Sequence, residues 1–126
     1  DDGGRGVFAS KNTPKGWMIH DGARSAVSFP DDMSWRRFVF ALPPKMACDI
    51  VQWSWTQARS EGGDHKIFVD LTIASFFNGG PGPEYSNVSQ RVRHSLKFFA
   101  TMNIGKDSEL IYNSDMSTTD WKKVGL

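Results

Sequence analysis

The stretch LKFFATMNIGKDSELIY, residues 96–112, contains two apolar segments on either side of a turn. Leu96–Thr101 and Glu109–Tyr112 are rich in aromatic and aliphatic side chains, which favours short strands. Asn103–Ser108 between them is typical of a turn. This part of the chain therefore predicts two short strands close together in sequence.

Outward from this stretch, the apolar pattern is mostly of period two, with turn signals at close intervals. The segment from Asn78 to Asn87 holds three Gly and two Pro and is predicted to be a loop. The fold class is therefore predicted to be mainly β, with short strands in several small sheets and little helix, below about a third of the chain. The other predicted strands are Val7–Ala9, Trp17–Ile19, Trp35–Leu42 before Pro43-Pro44, Asp49–Gln57 and His65–Leu71.

Composition excludes several classes of function. The 126 residues include 15 basic and 14 acidic side chains, a net charge of +1 that predicts no direct nucleic-acid binding and no membrane partner. Cys48 is the single cysteine, so an internal disulfide and a cysteine zinc site are excluded. No apolar run approaches the ~20 residues of a membrane span. We expect an intracellular monomer, cytoplasmic or nuclear.

The usual catalytic motifs are absent. There is no Gly-x-Ser-x-Gly elbow, no HExxH and no P-loop, and the three histidines lack metal-ligand spacing. The aromatic pairs are predicted to be core, although one member of each pair can border a cleft because neighbours on a strand point to opposite faces. The adjacent pairs are Phe76-Phe77 and Phe98-Phe99, and Trp53 and Trp55 are likewise predicted to be core.

Several short motifs follow one another in a familiar order. They are Gly4–Ala9 with Lys15-Gly16, Val69–Leu71 with Ser75–Asn78, Pro83 with Ser86–Val88, Phe98–Thr101 with Ile104 and Glu109–Tyr112, and Trp121–Leu126. In this order they resemble the SET-domain family of S-adenosylmethionine-dependent protein-lysine methyltransferases. The last motif is similar to a segment of the compact SET-like proteins of algae and protists. The resemblance covers nearly the whole chain, so residues 1–126 are expected to form a single SET-like domain, whole or excised from a longer chain.

The resemblance implies a fold and a site. Three segments, Gly4–Phe8, Asn78–Gly79 and Tyr112–Ser114, would converge around S-adenosylmethionine, and two of them would cross as a C-terminal pseudoknot. Asn78 is therefore expected to lie beside the Gly4–Phe8 strand. A lysine of a protein or peptide substrate would enter from the opposite face, through a narrow channel lined by Tyr112. The residues that the resemblance assigns to cofactor binding are Gly4, Arg5, Gly6, Phe8, Asn78 and Gly79.

The chain departs from the family at three positions. Gly79 stands where the family has the His of its Asn-His-Ser motif, and Asp107 stands where it has a turn glycine. Ser114 aligns with the active-site Tyr, whereas Tyr112 is retained two residues earlier. Ser114 and Tyr112 are thus the candidate catalytic positions. If Ser114 replaces the Tyr, we expect cofactor binding with slow methyl transfer; if Tyr112 has taken over, the alignment is shifted by two residues.

Two other functions stay open at this point. A degenerate SET-like domain would bind a peptide or the cofactor without turnover. A small β-sandwich that binds carbohydrate would carry its tryptophans on one flat surface rather than in a core.

Overall fold

The computed structural model describes residues 5–126, of which 28% are in strands and 30% in helices. The strands are β1 Val7–Phe8, β2 Met18–Asp21, β3 Ala26–Phe29, β4 Trp55–Gln57, β5 Lys66–Asp70, β6 Asn78–Gly80, β7 Val88–Ser89, β8 Lys97–Ala100 and β9 Glu109–Asn113. The α-helices are α1 Gly22–Ser25, α2 Asp32–Phe40 and α3 Pro44–Trp53. Short 3-10 helices span Ile73–Phe76, Pro83–Tyr85, Ser114–Met116 and Trp121–Val124.

The larger sheet is six-stranded and curled, and β9 lies at its centre. The order is β1-β9-β7-β8-β2, with β6 also paired to β9. β1 runs antiparallel to β9, while β6 and β7 run parallel to it. Strands β1 and β6 therefore follow each other along one edge of β9, opposite β7. The predicted convergence of the three segments is confirmed, whereas the threading of one through a loop of another stays a prediction.

The amide side chain of Asn87 fixes β9 against the segment before β7. Its Nδ2 donates to the Glu109 carbonyl at 2.9 Å, and its Oδ1 accepts from the Ile111 amide at 2.8 Å. The backbone amide of Asn87 donates to the Ile111 carbonyl, also at 2.9 Å. Three hydrogen bonds from one residue satisfy backbone groups of β9 that the short strand β7 cannot reach.

The smaller sheet, in the order β3-β5-β4, is antiparallel and packs with α2 and α3. Each sheet has its own apolar core. Around the six-stranded sheet the buried residues are Val7, Ala9, Val88, Ala100, Ile104 and Leu110. Around the three-stranded sheet they are Trp35, Val39, Ile50, Ile67, Val69 and Val124.

The β-rich fold of several small sheets is confirmed, and helix stays within the predicted third. Two predicted strands are wrong, because Trp35–Leu42 falls largely in α2 and the first half of Asp49–Gln57 in α3. Asp31 caps α2 by accepting from the Ser34 amide at 2.8 Å. Pro44 begins α3, at a position where its missing N–H costs nothing.

Two smaller differences concern the loops. Asn78–Gly80, predicted as part of a loop, forms β6. Asp107 adopts a left-handed backbone with φ 69°, which agrees with its place in a turn where the family has glycine. Within residues 5–126, no helix combines the length and the apolar composition that crossing a bilayer requires.

Candidate functional site

Asn78 joins β6 to the N-terminal strand segment. Its Nδ2 donates to the Arg5 carbonyl at 2.9 Å and to Glu109 Oε2 at 2.6 Å. Arg5 and Asn78 are 73 residues apart in sequence, and the predicted proximity of Asn78 to the first strand is confirmed. Gly4, also assigned to this site, lies outside the described residues.

Glu109 is a part of this site that the sequence analysis missed. A Cβ atom added at Gly6 would lie 2.6 Å from Glu109 Oε2 and 3.3 Å from Asn78 Nδ2. Glycine at position 6 thus leaves room for the carboxylate of Glu109 beside the amide of Asn78. The contact links opposite ends of the chain, so no local pattern indicates it.

A groove of about 350 Å³ borders this cluster. Its lining is formed by the segment Asn78–Pro81, Tyr85, Glu109 and Ile111. Arg5 contributes its carbonyl to the cluster, while its guanidinium lies 5.0 Å from the centre of the Phe76 ring. Phe8 is 59% exposed and does not line the groove. Of the predicted cofactor residues that are described, Asn78 and Gly79 face the groove.

A second cavity, of about 360 Å³, lies between the two sheets. Aromatic side chains form much of its wall: Trp53, Trp55, Phe77, Phe98 and Tyr112. Among the lining residues that the structure describes, the titratable side chains are those of His20, Asp70 and Tyr112, and none is Lys or Arg. Phe77 and Phe98 border the cavity and their neighbours do not, as predicted for the aromatic pairs.

Gly79 and the ring of Tyr112 link the lining of the groove to that of the cavity. Gly79 lines the groove and Tyr112 lines the cavity, and the two residues pair between β6 and β9. A Cβ at position 79 would lie 3.0 Å from Cε1 and Cζ of Tyr112 and 3.1 Å from its hydroxyl. Any side chain at position 79, including His, would therefore push the Tyr112 ring aside by at least a few tenths of an ångström, and glycine leaves the phenol undisturbed.

Ser114 lies at the beginning of the 3-10 helix after β9 and lines neither the groove nor the cavity. Asn113 before it caps this helix by accepting from the Asp115 amide at 3.1 Å, and also accepts from the Gly82 amide at 3.2 Å. Of the two candidate catalytic positions, Tyr112 borders a cavity and Ser114 does not.

Asp70 and His20 form part of the cavity wall, and several hydrogen-bonding groups surround the buried carboxylate of Asp70. His20 Nε2 lies 2.7 Å from Asp70 Oδ2, and the Ser25 hydroxyl donates to the same oxygen at 2.7 Å. Asp70 Oδ1 accepts from the amide and hydroxyl of Thr72, at 2.9 and 2.5 Å. The sequence analysis noted His20 only as a histidine without metal-ligand spacing, because its partner is 50 residues away.

The hydrogen-bonding groups around Asp70 hold it ionised. Burial raises the pKa of the Asp70 carboxyl, but hydrogen bonds from Thr72, Ser25 and His20 outweigh burial and bring that pKa below its usual value of 3.8. Asp70 is only 5% exposed, so its carboxylate receives its hydrogen bonds from these donors rather than from water.

Replacing Asp70 with Asn is expected to lower the free energy of unfolding at neutral pH. The variant should also lose less of that free energy as the pH falls. Since the folded-state pKa of Asp70 is depressed, its ionised form stabilises the fold above about 3.8 and this contribution disappears as the pH falls through the folded pKa. Urea unfolding of both proteins between pH 2 and 7 measures the difference. Parallel stability curves for the two proteins would contradict this assignment.

The tryptophans do not share one flat surface. Trp35 is 8% exposed and its ring centre lies 5.6 Å from that of Trp121 within the second core. Trp53 and Trp55 line the cavity, and Trp17 is half exposed on the other sheet. The arrangement expected of a carbohydrate-binding sandwich is therefore not observed.

Neither the protein-family models nor the curated proteins contain a match to the chain.

Proposed function

We propose that this chain is an S-adenosylmethionine-dependent protein-lysine N-methyltransferase of the SET type, with a rearranged active site. One observation carries the proposal: Gly79, which lines the groove, lies against the ring of Tyr112, which lines the aromatic cavity. Methyl transfer from a cofactor to an amine needs two binding sites that meet at one point.

The groove has the chemistry that S-adenosylmethionine requires. Its volume of about 350 Å³ lies within the range of small-molecule sites, roughly 300–1,000 Å³. The Glu109 carboxylate offers a partner to the amino group or the ribose hydroxyls, and the exposed ring of Tyr85 offers a face for adenine. Gly79 and Gly80 allow close approach to the backbone. When bound, the cofactor supplies a methyl group attached to a positively charged sulfur.

The cavity has the chemistry that a lysine side chain requires. Its aromatic walls suit both the apolar stem and the cationic end of lysine. Asp70 provides one negative charge, and the described lining contains no cation that would repel an ammonium group. The Tyr112 hydroxyl, close to Gly79, can accept a hydrogen bond from the amine and direct it towards the groove.

Calorimetric titration with S-adenosylmethionine and with its demethylated product tests the cofactor site. Replacing Asn78 with Ala is expected to weaken binding of both by about tenfold, because the lost amide leaves Glu109 and the Arg5 carbonyl without their donor, a cost of about 1–3 kcal/mol. Asn12→Ala is the matched control, because Asn12 caps an exposed turn by accepting from the Lys106 amide.

The calorimetric titration of the natural protein and the two variants has three possible outcomes. Weaker binding by Asn78→Ala with normal binding by Asn12→Ala supports the site. Unchanged binding by both variants means that Asn78 has no part in it. Failure of the natural protein to bind either ligand at millimolar concentration would remove the proposed function.

The alternative of a non-catalytic binding module rests on the cavity alone, since aromatic walls with one carboxylate can hold a lysine side chain without turnover. Incubation with labelled cofactor and a mixed peptide or histone pool distinguishes the two functions. Label transfer favours the enzyme, whereas peptide binding without transfer favours the module.

A further inference from the structure

His20 contacts two polar partners through one ring nitrogen. Nε2 lies 2.7 Å from Asp70 Oδ2 and 3.1 Å from the Ser25 hydroxyl oxygen. The Ser25 hydroxyl donates to Asp70 Oδ2, so its proton is directed away from the imidazole. This geometry differs from that of serine hydrolases, in which Ser and Asp contact opposite ring nitrogens, and Ser25 is not an activated nucleophile.

The carboxylate determines the tautomer of the ring. An ionised carboxylate only accepts hydrogen bonds, so Nε2 carries the proton in neutral His20 and Nδ1 carries the lone pair. In the described part of the chain, no donor is found at Nδ1. His20 lines the aromatic cavity, and its side chain is 18% exposed.

We propose that His20 is the proton acceptor for the amine that enters this cavity, with Asp70 and Ser25 as positioning residues. The proposal rests on the proposed function, because the cavity is the assigned lysine site. The ammonium N–H bond breaks and an N–H bond forms at Nδ1. The amine keeps the electron pair with which it accepts the methyl group. The imidazolium later releases its proton to water.

Charged and aromatic groups surround His20. The Asp70 carboxylate of β5 is in direct contact with Nε2 and holds the ring in place, and Tyr112 of β9 lines the same cavity. Phe77 and Phe98 lie with their ring centres 6.3 Å from that of His20. The other charged neighbours are Asp21 on its own strand, Lys97 of β8, which pairs with Asp21, and the exposed Arg24 of α1.

A purely structural role is the competing explanation, because the contact between His20 and Asp70 joins the two sheets. His20→Gln separates the roles, since a glutamine amide can donate to Asp70 but cannot take up a proton at neutral pH. A structural link alone predicts that this variant keeps its activity per folded molecule.

The first test is nitrogen-15 NMR of the imidazole, with His20→Gln used for assignment. We expect the neutral imidazole of His20 to be the Nε2-protonated tautomer, because Nε2 faces the carboxylate. Addition of n-butylammonium should move the Nδ1 resonance of His20 towards that of a protonated nitrogen. Butyltrimethylammonium is the matched probe, with the same charge and stem but no N–H group, and should leave Nδ1 unshifted. Equal shifts with both probes, or none with n-butylammonium, would overturn the inference.

The second test is methyl transfer to a peptide as a function of pH, with cofactor affinity measured separately by calorimetry. His20→Gln is expected to reduce kcat by about 100-fold or more, the usual contribution of a general base, and to remove the acid limb of the pH profile. Cofactor affinity should not change. A variant that retains both the rate and the acid limb would show that His20 has only a structural role.

The two tests also separate this inference from the proposed function. If the natural protein binds no cofactor and transfers no methyl group, but n-butylammonium shifts Nδ1, the enzyme proposal fails while the amine contact stands. If methyl transfer occurs and Nδ1 does not respond, only the role of His20 fails.

Discussion

Alanine at position 80 is expected to destabilise the protein by about 3 kcal/mol or more, at the upper end of the cost of overpacking. A Cβ atom at Gly80 would lie 2.0 Å from the Tyr85 carbonyl oxygen and 2.8 Å from its carbonyl carbon. Both are backbone atoms, so relief requires β6 to move away from the Pro83–Tyr85 turn. Urea unfolding measures the loss as a lower midpoint at unchanged slope.

Gly105→Ala is the matched control for this change. A Cβ atom at Gly105 would meet its nearest neighbour, the Ser108 hydroxyl, at 3.6 Å, which is an ordinary contact. Its stability should stay within about 0.5 kcal/mol of the natural protein, as for most surface substitutions. Equal midpoints for the two variants would mean that β6 does not pack against the Tyr85 carbonyl.

Tyr112→Phe is expected to reduce methyl transfer by about tenfold to a hundredfold, which corresponds to the roughly 1.5–3 kcal/mol of a hydrogen bond to a charged group. The ring would keep its contact with Gly79, so cofactor affinity should be unchanged. Ser114→Tyr should not increase transfer, because Ser114 lines neither space. Labelled cofactor with a mixed peptide pool measures both variants.

The opposite result would be equally informative. Faster transfer by Ser114→Tyr, with little effect of Tyr112→Phe, would mean that Ser114 occupies the position of the family's active-site Tyr and that the natural site is degenerate. Gly79→Ala provides a further check, since the added methyl would press on the Tyr112 ring. If the position of the phenol matters, this variant should lose activity as well.

The sequence predicted the parts of the fold that local patterns govern. Strands β1, β5, β8 and β9 lie where short runs rich in aromatic, aliphatic and β-branched residues stand between turn signals. Helices α2 and α3 were missed because their aromatic residues favour strands. Only two local features indicate that these segments are helical. These features are the Asp31 cap and the position of Pro44, where the two prolines were interpreted as the end of a strand.

The site was predictable only where a family motif marked it. The motifs indicated that Asn78 would meet the first strand, and they marked Tyr112 as a candidate. The contact of Glu109 with Asn78 and that of His20 with Asp70 span 31 and 50 residues. A carboxylate on a strand or an isolated histidine has no spacing signal, because its partner is determined by the way the sheets pack.

The central position of β9 has a consequence for the order of folding. Strands β1, β6 and β7 all pair with β9, the last strand in the described chain. Contacts of such large sequence separation form slowly, because the loops between them must close first. The strands of the smaller sheet need no pairing with β9, but their apolar core is completed by Trp121 and Val124, which follow β9 in the chain. The groove is lined by Glu109 and Ile111 of β9, so it cannot form until β9 has docked.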